Sequence, residues 1–188
     1  MTEKQLLRQI AELKAKVAQL ETEVAFLKNH PRIAQGIKGE TLACKLTNGS
    51  ITAYAAAHDV TVGGIATVEV KFSKVNTPYE GAATRRWNWS KLLGWRDKGK
   101  GYDFLLLMGD KDPRFLSQYP EDGSPYVFFL IPSLHVPTVL SKGEMIGSQA
   151  QINTNLATAR SSASKAIKKF MVPAALVGSM IDGIVRKR

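Results

Sequence analysis

Apolar residues recur at alternating spacings of four and three along the start of the chain: Leu6, Ile10, Leu13, Val17, Leu20, Val24 and Leu27. This is the heptad seam of a coiled coil. Ile10, Val17 and Val24 take position a, and Leu6, Leu13, Leu20 and Leu27 take position d. β-Branched residues at a with Leu at d favour two parallel strands. The flanking charges agree, because Lys16 at g faces Glu21 at e of a partner helix, and Glu23 faces Lys28 likewise. An amphipathic helix lying on its own domain is the alternative, but polar residues elsewhere in the heptad favour a homodimer. The seam is about 33 Å long at 1.5 Å per residue. A coil that short needs support from other contacts between subunits. Asn29, His30 and Pro31 are expected to stop the helix, since Pro disfavours helical geometry before it. Residues 1–30 therefore read as a dimerisation helix and 31–188 as a second domain.

Beyond Pro31 the pattern is mixed. Residues 33–46 predict a helix, followed by an Asn48-Gly49 turn. Residues 50–57 predict a strand, Val62-Gly63-Gly64 a turn, and 65–73 a second strand in which Val68, Val70 and Phe72 alternate with Thr67, Glu69 and Lys71. A helix is expected at 84–93. The apolar runs 104–108 and 126–131 read as buried strands. Residues 148–170, rich in Ala, Ser, Gln and Lys, predict another helix. The expected fold class is α/β (α+β), a mixed sheet flanked by helices.

Charge adds a partner class. The 188 residues are 44% hydrophobic with mean hydropathy −0.13, which excludes a fully disordered chain. A net charge of +10 and a pI near 9.8 point to a polyanion, nucleic acid first and an acidic membrane surface second. The excess is uneven. Residues 148–188 hold seven basic side chains against Asp182 alone, and Arg85, Arg86, Lys91, Arg96, Lys98 and Lys100 face only Asp97. The single cysteine, Cys44, excludes an intramolecular disulfide and a Cys-based zinc site. MTEKQLLRQI lacks the order of a signal peptide. The apolar stretch 170–185 is short for a span and interrupted by Pro173 and Asp182, although a membrane-surface helix is a minor alternative. The expectation is a cytoplasmic protein without a membrane partner.

Candidate chemistry concentrates on the first two strands of the second domain. Period two puts Glu69 and Lys71 on one face, opposite Val68, Val70 and Phe72. If the strands pair antiparallel, Asp59 can approach Glu69. Two carboxylates brought together repel unless a cation lies between them, and hard oxygen ligands suit Mg²⁺. The bland alternative is an exposed Glu69–Lys71 salt bridge with Asp59 in a loop.

With Asp59 followed by Glu69-Val70-Lys71, and Glu40 on the preceding helix, the sequence resembles the PD-(D/E)xK nuclease superfamily of restriction-endonuclease-like proteins. The likeness covers roughly residues 32–132 as an order of elements: helix, strand, strand with ExK, helix, strand. His58 stands where the family name has Pro. The resemblance implies that Asp59 and Glu69, helped by the Val70 carbonyl, hold one or two Mg²⁺ ions. Lys71 would then orient or deprotonate water, and Glu40 would serve a second metal or its water. It implies a homodimeric endonuclease of double-stranded DNA, a type II restriction enzyme first and a homing endonuclease second. A non-catalytic DNA-binding or nucleoid protein is the alternative from another class.

Arg85, Arg86, Lys91 and Arg96 interleave with Trp87, Trp89 and Trp95, a mixture that suits phosphate contact and stacking. Core packing is the competing use for the tryptophans. Gln149, Gln151, Asn153, Asn155 and Arg160 carry amide and guanidinium groups that suit base edges, or else form a polar connector. Lys165, Lys168, Lys169 and Arg186-Lys187-Arg188 suit phosphate.

Overall fold

The computed structural model of the chain describes residues 3–53, 56–93, 101–141 and 148–185. It divides into two units, Met1–Ile37 and Lys38–Arg188. In the first, helix α1 (Glu3–Asn29) ends where the sequence predicts. Pro31 does not end helical structure altogether; it opens α2 (Pro31–Thr47), where its missing N–H costs nothing in the first turn. The seam residues of α1 are exposed, from 41% at Leu6 to 63% at Leu13. Ile33 and Ile37 continue the exposed apolar side chains into α2.

The second unit is built on a six-stranded mixed sheet of order β1-β2-β3-β5-β6-β8. Its strands are β1 (Ser50–Ile51), β2 (Val60–Val62), β3 (Ala66–Ser73), β5 (Phe104–Asp110), β6 (Tyr126–Pro132) and β8 (Met171–Val172). β2 and β3 form an antiparallel hairpin with a three-residue loop, Gly63-Gly64-Ile65, whose two glycines are at positive φ, a region glycine enters without steric cost. β3 then pairs parallel with β5, and β5 pairs antiparallel with β6.

Both faces of the sheet are covered, which is why β5 and β6 are continuously apolar. Val68, Val70, Phe72, Phe104, Leu106 and Met108 point to one core, shared with Ala43 of α2 and with Val177 and Ile181 of α5 (Val177–Val185). Val172, Val177 and Ile181 of the 170–185 stretch are thus spent on the fold, whereas Leu176 and Met180 are exposed. Among the described residues no helix is long and apolar enough to cross a membrane. Leu105, Leu107, Phe129 and Ile131 point to a second core. That core is closed by a two-stranded antiparallel ribbon of β4 (Arg86–Ser90) and β7 (Gln149–Asn153), with α3 (Val136–Val139) and α4 (Ser162–Lys169).

Three elements differ from the sequence reading. Among the described residues of the strand expected over 50–57, only Ser50–Ile51 is strand, and Val60–Val62 supplies the hairpin partner instead. The helix expected over 84–93 is β4, because Arg86-Trp87-Asn88-Trp89-Ser90 alternates polar and buried residues with period two. The helix expected over 148–170 splits into β7, a 3-10 turn at Leu156–Thr158, and α4 capped by Ser161. Only α4 has a helical apolar face; Gln149-Ala150-Gln151-Ile152-Asn153 alternates like a strand.

The ribbon is held by its tryptophans. Trp87 and Trp89 are buried side by side, with ring centroids 6.3 Å apart. The Trp87 indole N–H donates to Asp110 O (2.9 Å) and that of Trp89 to Met108 O (2.8 Å). These bonds satisfy two polar groups that burial would otherwise strand. Gly109 lies under the Trp87 ring, and a Cβ there would sit 2.4 Å from Nε1. Gly109→Ala is therefore expected to destabilise the fold by about 1–3 kcal/mol in urea denaturation. Gly183→Ala, where a Cβ meets nothing within 4 Å, is expected to stabilise it by about 0.5–1 kcal/mol.

Candidate functional site

The hairpin brings Asp59, Glu69 and Lys71 together. Val60 is the register partner of Val68, yet the Asp59 N–H also reaches Val68 O, at 3.1 Å. Two consecutive residues thus face one, as in a β-bulge, which re-aims a side chain at the end of a ladder. Asp59 O accepts from Thr52 N–H (3.0 Å), so the bulge is gripped from both sides. Its carboxylate Oδ2 accepts the Val70 N–H at 2.8 Å. The N–H and C=O of one strand residue point the same way, so the Val70 carbonyl also turns toward Asp59.

Glu69 is fully buried. Its charge is met by Lys71, whose Nζ donates to Glu69 Oε1 and lies 3.9 Å from Asp59 Oδ2. The salt bridge between Glu69 and Lys71 exists, as the bland alternative has it, but Glu69 is buried and Asp59 belongs to the cluster. Next to them, burial and then the Glu69 charge push the Tyr102 hydroxyl up to about 12. It stays protonated and donates to Leu92 O at 2.9 Å.

Glu40 does not join this group. It is half-buried on α2, and its neighbour Gly39 packs against Val70 and Phe72, on the face of β3 opposite Glu69 and Lys71. Its charge acts instead on Cys44, whose thiol is raised by burial first and by Glu40 second. Among the described residues no three His, Cys, Asp or Glu side chains converge as a metal site. The donor set at β3 is two carboxylates and a backbone carbonyl. That set fits Mg²⁺, which binds through one or two carboxylates and fills its shell with water and phosphate oxygens.

The candidate DNA contacts separate into two kinds. Trp87 and Trp89 are core residues, unavailable for base stacking. Arg86, Gln149, Gln151 and Asn153 come together on the outer face of the ribbon, where Arg86 pairs across with Asn153 and Ser90 with Gln149. Asn88, opposite Gln151, belongs with them; its place in the alternating Arg86–Ser90 segment is the signal that identifies it. Asn155 is used as a cap, accepting from Ala157 N–H (3.2 Å) and Gln118 Nε2 (2.9 Å). Arg85, Lys91, Arg160, Lys165, Lys168 and Lys169 are exposed, whereas Arg96 and 186–188 lie outside the described residues.

The ribbon is joined to the carboxylate site. Asn88 N–H donates to Ser73 Oγ at 3.0 Å, and Ser73 lies two residues beyond Lys71 on the same face of β3. At its other end Thr154 Oγ1 donates to Arg85 O (3.2 Å) and to the buried Asp112 Oδ2 (2.8 Å). Asp112 also takes Arg114 Nη2 at 2.8 Å. No family model and no curated protein matches this chain.

Arg114 foremost, with Thr154, holds the Asp112 carboxyl well below its ordinary 3.8. The charged form is therefore favoured in the folded state. Its contribution is present above the ordinary carboxylate pKa and is lost as pH falls through the depressed value. Asp112→Asn is expected to cost about 1.5–3 kcal/mol at neutral pH. In urea denaturation the gap from wild type should narrow as pH drops below 3.8.

Proposed function

We propose that this chain is a Mg²⁺-dependent endonuclease of double-stranded DNA that acts as a homodimer, with a restriction-endonuclease-like sheet. The observation that carries the reading is the meeting of Asp59, Glu69 and Lys71 at the β2 bulge. Further support comes from the strand order, an antiparallel hairpin bearing Asp59 and ExK followed by a parallel neighbour. The departure is β4, a strand where the family order has a helix.

Asp59, Glu69 and the Val70 carbonyl would hold Mg²⁺, and the ion would supply phosphate polarisation and a bound water of lowered pKa. The remaining chemistry belongs to the chain. The Val70 N–H fixes the Asp59 carboxylate, so that both acids stay beside β3. The Lys71 ammonium, already between them, orients the attacking water and offsets negative charge growing on the phosphate oxygens. Water oxygen bonds to phosphorus, one P–O ester bond breaks, and the leaving oxygen takes up a proton.

Incubation of plasmid DNA with Mg²⁺ tests this. Wild type should cut, and Lys71→Ala and Asp59→Asn should each be slower by about 100-fold or more. A fully active Lys71→Ala enzyme sinks the assignment, and a wild type that retards DNA without cutting it favours the non-catalytic binder. The exposed seam of α1 carries the dimer. Leu13→Asp with Leu20→Asp should convert a dimer to a monomer in sedimentation and turn double-strand breaks into nicks.

A further inference from the structure

We infer that the outer face of the β4–β7 ribbon enters the major groove of duplex DNA and reads base edges there. The inference rests on the reading that the chain acts on DNA and assigns the part that recognises sequence.

The ribbon has two unlike faces. Trp87, Trp89, Ala150 and Ile152 point into the core. The other face is three cross-strand pairs, Arg86 with Asn153, Asn88 with Gln151, and Ser90 with Gln149. Such a row offers hydrogen-bond donors and acceptors and no negative charge. Amides match the paired donor and acceptor of adenine, and guanidinium matches the two acceptors of guanine. The Asn88 and Gln151 amides make no side-chain hydrogen bond to a described residue, and Asn88 is exposed and Gln151 half-buried, so their donors and acceptors are open to an outside partner.

The surroundings select the partner's charge. One cleft beside the ribbon is lined by Arg86, Gln151, Asn153, Arg160, Ser161 and Ser164, among others. A second, at its end, brings in Arg85 and Arg114. A third, along α4, is lined by Lys165, Lys168 and Lys169. Among the described residues no acid lines any of the three. Polar readers flanked by cations fit base edges between two phosphate backbones.

Dimensions agree. A two-stranded ribbon fits the roughly 12 Å major groove of B-form DNA. Four steps from Arg86 to Ser90 at about 3.4 Å each give about 14 Å. That is about four base pairs at the 3.4 Å rise of each strand. The deep, narrow major groove of A-form RNA would not admit it. Because Asn88 is bonded to Ser73 on the strand that carries Lys71, the bases read and the phosphate attacked would keep a set spacing.

The test is selection of bound duplexes from a randomised library by the full chain in EDTA, which allows binding without cleavage. Wild type should enrich a short motif. Asn88→Ala and Gln151→Ala should each erase one or two positions of it, with a loss of about 5–150-fold against the best site. Lys168→Ala should instead weaken all duplexes alike and lower the salt slope by about one. Binding without any motif, a motif unchanged by either ribbon substitution, or equal binding of the same sequence as duplex RNA overturns the inference and leaves the nuclease reading standing. Absence of all DNA binding overturns both.

Discussion

A fully buried glutamate next to a half-buried lysine sets the terms for the rest of the second unit. Stripping a carboxylate of water costs several kcal/mol unless an opposite charge is held beside it. Glu69 must lie inward, because period two turns it away from Val68, Val70 and Phe72, which fill the first core. Lys71 meets the charge from the same face, and Asp59, re-aimed by the bulge, stands on the far side of the lysine. Everything near β3 respects this arrangement. α2 and α5 take the apolar face, the tryptophan ribbon closes the polar side over β5 and β6, and the cluster is left at the margin between them.

Much of this was legible in the sequence, and the misses have physical causes. The heptad seam is local and repeated, so α1 could be read from seven residues. β5 and β6 are apolar on both sides and announce themselves. The Asp59, Glu69 and Lys71 cluster was legible because period two and one antiparallel hairpin suffice to build it. Glu40 was misplaced because proximity across a sheet is not visible in a helix pattern; only packing of Gly39 onto Val70 and Phe72 shows which face α2 covers.

β4 and β7 were missed for a different reason. Both alternate, but Trp, Asn, Ala and Gln are not strong strand formers as a set, and the composition of 148–170 favours helix. Their strand character comes from pairing with each other over the second core. Tertiary packing overrides propensity there, and Gln149, Gln151 and Asn153 gather on one outward face.

That pairing also imposes an order in time. Thr154 and Arg85, which meet at the end of the ribbon, are 69 residues apart along the chain. Closing a loop of that length costs about 4 kcal/mol of chain entropy by logarithmic scaling. The hairpin carrying Asp59, Glu69 and Lys71 closes over a few residues. A folding chain should thus assemble its charged cluster early and its ribbon late, once β5 and β6 offer the tryptophans a surface. The slowest step of folding would then be the docking of this ribbon rather than the making of the charged centre.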